Sequence, residues 1–159
     1  MYKPASLRAH LLAQVPGLGA DHLHTFIDHG HISATAGPSH SFVYHYTLNA
    51  ILTDYAGHSD AVIIPILTWL RHHQPELLLG SDVLGEAFTF EADILSHETY
   101  DFGIKLKLSE RVSVSTDAAG TAKAQHHGEP PLDPYEGIKH WELYVLGEKV
   151  TEWDVPPAP

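Results

Sequence analysis

From Phe42 to Tyr55 the chain mostly alternates. Phe42, Tyr44, Tyr46, Leu48, Ala50 and Leu52 stand at the even positions, and Val43, His45, Thr47, Asn49 and Thr53 at the odd ones. A period of two, apolar on one side and largely polar on the other, in β-branched and aromatic residues, specifies a half-buried strand. At about 3.3 Å per residue it would span roughly 45 Å. That exceeds the usual length of about five or six residues, so a bend or bulge is expected. Such a strand is a spine on which other strands register. It carries no catalytic motif.

A chain of 159 residues is one domain by default, able to bury about two-thirds of its unfolded surface. With no cysteine, disulfides and zinc–thiolate sites are excluded, which suits a reducing cytoplasm. No apolar run reaches the roughly 18 residues of a membrane span, and the first residues lack a basic-then-apolar signal pattern. The expectation is a soluble, cytoplasmic protein in the cell that makes it, with no membrane contact. A net charge of −11 with nine scattered Lys and Arg argues against affinity for nucleic acid or anionic lipid. It is compatible with a surface that DNA passes without sticking.

The chain opens with a short amphipathic helix between Met1 and Gly17. Pro4 and Ser6 are start signals, Leu7, Leu11 and Leu12 form the stripe, and Pro16-Gly17 stops it. Leu23 to Ile32 reads as a strand entering a tight turn at Asp28-His29-Gly30, with glycine supplying a positive φ. Ser33 to Ser41 is a loop, and the spine follows. Asp60 to His73 is the best helix candidate, with Asp60 as N-cap and Ile63, Ile66, Leu67 and Leu70 at helical spacing. Gln74-Pro75 ends it, and Pro65 predicts either a kink or a start nearer Ile64.

Glu76 to Glu86 is a loop. Phe88, Phe90, Ala92 and Ile94 then alternate with Thr89, Glu91 and Asp93; after a polar turn, Phe102, Ile104, Leu106, Leu108, Val112 and Val114 do the same with Lys105, Lys107 and Arg111. Glu110 falls on the apolar side, so it is at a bulge or held by a partner, because a lone buried carboxylate is costly. Thr116 to His140 reads as an irregular arm able to reach a neighbouring subunit. Trp141 to Val145 and Val150 to Trp153 form a closing hairpin with Gly147 in its turn, and Asp154 to Pro159 is a polyproline-like tail. The organisation is thus a core over residues 1–115, an arm over 116–140 and a hairpin with tail over 141–159, in one domain. Runs of strands without alternating helices predict an α+β fold: an antiparallel or mixed sheet of long strands, packed by an N-terminal and a central helix.

Histidine is in excess, at fourteen residues. His22, His24, His29 and His31 form an HxH-x4-HxH cluster, and two such residues on one strand face can chelate a divalent metal. The cluster lacks HExxH spacing and a carboxylate at a clear third-ligand position, so these are read as surface polar residues. Glu91 and Asp93 share a face and are read as solvated rather than as a catalytic carboxylate pair. No GxSxG or glycine-rich phosphate loop is present. Neither catalytic residues, nor a metal site, nor a cofactor is therefore assigned. Arg71, Glu110, Arg111 and Trp153 are the candidate interface residues: two arginines as salt-bridge donors, the misplaced carboxylate, and an aromatic near a chain end. Long strands leave open edges, which assembly into a ring with each subunit covering its neighbour would protect.

A set of short stretches, in order, resembles the tail completion protein R (GpR) family of contractile-tailed phages. They are Lys3 to Arg8, Phe26 to Ile32, Ser41-Phe42 with Tyr46 to Ile51 and Thr53 to Tyr55, Pro65 to Arg71 with Gln74-Pro75, and Phe88 to Ile94. Leu108 to Arg111, His127 to Pro131, Glu142 to Val145, Gly147-Glu148 and Trp153-Asp154 complete the set. The resemblance implies a virion protein rather than an enzyme. By looser analogy with tail terminators, it implies a homo-oligomeric, hexameric ring capping tail tube and sheath at the head-proximal end and meeting neck proteins there. DNA would pass its lumen without specific binding. Two other readings stand beside it: a neck or head–tail connector subunit, and, from another class, a small metalloenzyme ligated by His22, His24, His29 or His31.

Overall fold

The computed structural model describes residues 1–34, 39–80, 85–129, 140–145 and 148–154. In chain order it holds helix α1 (Lys3–Gln14), strands β1 (Leu23–Ala34) and β2 (Phe42–Tyr55), helix α2 (Asp60–His73), strands β3 (Phe88–Ile94), β4 (Tyr100–Thr116) and β5 (Ala122–His127), and a hairpin of β6 (His140–Val145) and β7 (Glu148–Asp154). Short 3-10 turns occupy Ala20–His22 and Pro75–Leu78. The fold is α+β. The main sheet runs β1-β2-β4-β3 with β5 also on β4, and every pairing is antiparallel.

The spine has the bounds its alternation predicts. Its irregularity lies near the end, where the register with β4 shifts between Leu52 and Tyr55 and Asp54 takes a φ of 51°. β4 is longer still, at 17 residues. On its far side β3 covers Tyr100 to Leu106 and β5 covers Arg111 to Thr116. Between them Gln74 fills the gap, its Oε1 accepting the Ser109 N–H at 3.1 Å.

Even-numbered residues of β2 and β4 stand opposite one another, Leu48 with Leu106 and Ala50 with Ile104. They face α1 and α2 and form the core with Leu7, Leu11, Val62, Ile66, Trp69 and Leu70. Helix α2 also has the predicted bounds and runs through Pro65. Its N-cap is Ser59 rather than Asp60, without a side-chain cap; the Asp60 N–H instead meets His58 Nδ1 at 3.1 Å.

Two expectations are corrected, and one apolar face is found uncovered. The Asp28-His29-Gly30 stretch is a bulge inside one continuous strand, with the register shifting between Ile27 and Gly30. Gly30 does not have a positive φ. It is needed for close approach, since a Cβ there would lie 3.2 Å from the His45 carbonyl oxygen. Second, on the apolar side of β3, which points to the helix side of the sheet, Phe88 packs against the core but the positions beyond it stay uncovered: Phe90 is 64 % exposed and Ile94 84 %. The two helices reach across β1, β2 and β4 and stop there. Third, the stretch from Thr116 is not irregular throughout, because Ala122–His127 forms β5. A tight turn precedes it, in which Asp117 Oδ1 accepts the N–H groups of Ala119 and Thr121 and Gly120 takes a φ of 84°. Residues 130–139, the Leu146-Gly147 turn and the proline tail beyond Asp154 lie outside the described residues.

Candidate assembly surface

Glu110 interrupts the apolar side of β4 and is fully buried. Its carboxylate accepts the first amides of α1, from Tyr2 at 2.9 Å and Lys3 at 3.1 Å. It also accepts the Tyr46 hydroxyl at 2.5 Å and lies 3.2 Å from His126 Nδ1 on β5. A helix N-terminus presents unpaired N–H groups and a positive dipole end, so a carboxylate there is favourable. Burial alone would raise the Glu110 pKa. The bonds from Tyr46, Tyr2 and Lys3, with the N-terminal ammonium, outweigh it and hold the group below its ordinary value. Tyr46 is pushed the other way, by burial first and then by its bond to Glu110.

Lys3 is equally buried. Its ammonium donates to Gln74 Oε1 at 2.7 Å and to Glu129 Oε1 at 3.0 Å. One network thus ties the start of α1, the end of α2, the gap in β4 and the residue that leads into 130–139. Beside it, Trp69 Nε1 donates to Ser6 Oγ at 3.1 Å, and His73 stacks on the indole at 4.3 Å. Burial holds the His73 pKa below its ordinary value. These groups hold elements together; their hydrogen-bonding capacity is spent on neighbours within the chain.

The odd-numbered side of the sheet is different, since neither helix covers it. Reading across the register, Ser33, Val43, Arg111 and His127 stand in one row, and Phe26, Asn49, Lys105 and Thr89 in another. His31 and His45 stack at 4.7 Å. Lys105 donates to Glu91 at 2.8 Å, while Lys107 and Arg111 are exposed. Asn49 is 3 % exposed, and its Nδ2 has no partner among the described residues. An open groove of about 470 Å³, lined by His29, His31, His45, Thr47, Lys107 and Glu76, lies beside the bulge.

The candidate interface residues separate accordingly. Arg111 lies on the open side, and Arg71 is exposed in the last turn of α2, where a helix C-terminus favours a cation. Glu110 points inward and is bound within its own chain. Trp153 lies on β7 opposite Trp141. The four histidines of the early cluster do not converge: His22 belongs to the 3-10 turn, and His29 sits at the bulge. Among the described residues three ligand atoms gather only at His140, Glu142 and Glu152, on the exposed hairpin. Lys149 Nζ already lies 2.5 Å from both of those carboxylates. Sequence reasoning misses Lys3, Tyr46 and His126 as members of the buried network. Only the unexplained carboxylate at position 110 signals that such partners must exist.

The model of the P2 phage tail completion protein R (GpR) family matches residues 1–130. The chain belongs to this family. It is also 40 % identical over 156 residues to the tail completion protein R of Escherichia phage P2, covering 97 % of this chain and 99 % of that protein. No solved structure matches. The family match ends just beyond Glu129, so it takes in both helices, the five-stranded sheet and the whole Glu110–Lys3 network.

Proposed function

We propose that this protein completes a phage tail as a structural component of the virion, most concretely as a terminator ring at the head-proximal end of tube and sheath. Membership of the tail completion family supports the general role. The observation that supports assembly is the apolar side of β3, where Phe90 and Ile94 extend the core face past the helices into solvent. Contiguous exposed apolar surface of this kind marks a protein contact. Among the described residues β1 and β3 are edge strands, whose outer backbone a neighbouring subunit can cover.

The mechanism is capping by shape. A ring whose lower face fits the last tube disc and whose upper face does not will bind once and block further addition. Six copies make the ring in this reading, neck proteins dock on its upper face, and the protein's acidity lets DNA through without adhesion. The role needs no catalytic group or cofactor. Electron microscopy of particles assembled without the protein tests it: abnormally long tails are the expected result. Tails of normal length that lack heads would instead assign the protein to the neck.

A further inference from the structure

Charge is unevenly placed on this chain of net charge −11. On the open side of the sheet, Lys107 and Arg111 are exposed, and neither is ion-paired among the described residues. Phe26, 44 % exposed, lies across β2 in the row of Lys105, the next cation along β4, which is paired with Glu91; between them stands the buried amide of Asn49, without a partner among the described residues. The end of the β3–β4 hairpin is the converse. Ile94 and Leu95 are exposed there beside the carboxylates of Asp93 and Glu98. Its turn is already shaped: Ser96 Oγ accepts the N–H groups of Glu98 and Thr99 at 3.1 and 3.0 Å.

We propose that successive copies join head to tail, the acidic, apolar end of one β3–β4 hairpin seating on the Lys107–Arg111 strip of the open face of the next. This rests on the ring reading above. The two patches match in both respects that matter at an interface: apolar side chains toward the middle, and opposite charge at the rim. Because the patches are different parts of one surface, the contact is heterologous, and a heterologous contact that closes by rotation makes a ring. A two-fold contact would instead pair the two patches reciprocally and stop at the dimer.

The chain has no cysteine, so introduced ones report cleanly. A chain carrying both Lys107→Cys and Glu98→Cys, oxidised in assembled particles, is expected to give a disulfide ladder extending beyond the dimer. Either substitution alone should give none, with circular dichroism and unfolding midpoint unchanged in all three. In parallel, Lys107→Glu with Arg111→Glu should lower the yield of completed tails at least about tenfold, and adding Asp93→Lys with Glu98→Lys should recover most of it. Dimers from a single-cysteine chain would overturn the head-to-tail contact in favour of a two-fold one. If the cysteine pair gives no ladder while an amine-reactive cross-linker on the unaltered chain does, this contact is wrong and the ring survives. If neither reagent gives a ladder, the ring fails as well.

Discussion

Residues 110 and 111 are neighbours on β4, yet they belong to two different environments. Glu110 faces the helices and is locked by four groups of its own chain, whereas Arg111 faces away and is exposed. The same contrast runs along the strand, with Leu106 in the core and Lys107 in solvent. A sheet with a period of two separates its side chains into two sets mechanically. What makes one set a core and leaves the other as surface is the pair of helices on one side. Along β2 and β4 stability should therefore concentrate on even positions and assembly contacts on odd ones, while on β3 the uncovered even positions Phe90 and Ile94 join the assembly surface.

The sharpest way to break this contrast is Glu110→Ala. It leaves the α1 amides and the Tyr46 hydroxyl buried without their acceptor, and should cost about 3–5 kcal/mol in denaturant unfolding. Arg111→Ala, one residue on, should change stability by about 0.5 kcal/mol or less. Equal losses from the two would mean that the faces are not distinct. Leu106→Ala removes a fully buried side chain from the middle of the core and should cost about 3 kcal/mol. Lys107→Ala next to it should leave the unfolding midpoint where it was. Smaller is Lys3→Met, which keeps the volume but removes the cation beside Glu129 and one donor from Gln74; about 2 kcal/mol is expected in denaturant unfolding.

The pH profile sharpens the picture further. Glu110 is held below its ordinary 4.5, so its contribution is complete above 4.5 and is lost as pH falls through the lowered value. His73, held below its ordinary 6.5 by burial, acts in the same direction, contributing above 6.5 and losing that contribution on acidification. Tyr46 is raised from 10.0, so its contribution is present below 10.0 and is lost as pH rises beyond it. The melting temperature should thus be flat between about 6.5 and 10 and fall on both sides. Tyr46→Phe should flatten the alkaline fall and Glu110→Gln the lower acid step. A profile unchanged by either substitution would remove the buried network from the account of stability.

Much of the fold is legible in the amino-acid sequence. β2 and α2 have the bounds that periodicity gives them, because each is long, strongly patterned and bracketed by breakers at Gly57 and at Gln74-Pro75. β5 is not legible, because Ala122-Lys123-Ala124-Gln125-His126-His127 has no apolar alternation. It is a strand because the turn at Asp117 to Thr121 folds it back onto β4. The bulge at Asp28-His29 reads as a turn because Asp and Gly serve both, and only the neighbouring backbone of β2 decides which. The exposed face of β3 is beyond sequence reasoning too, since alternation says which way a side chain points and nothing about what lies opposite.

Local pattern by itself determined the elements, the α+β class and the side of the sheet on which each residue of the long strands falls, because those follow from backbone geometry and hydrophobic period within a few turns of chain. Only the tertiary structure decided that Glu110 receives Tyr2 and Lys3 from more than a hundred positions away, and that the helices stop short of β3. Contacts between such distant segments depend on where whole elements come to rest, and no short window of sequence encodes that.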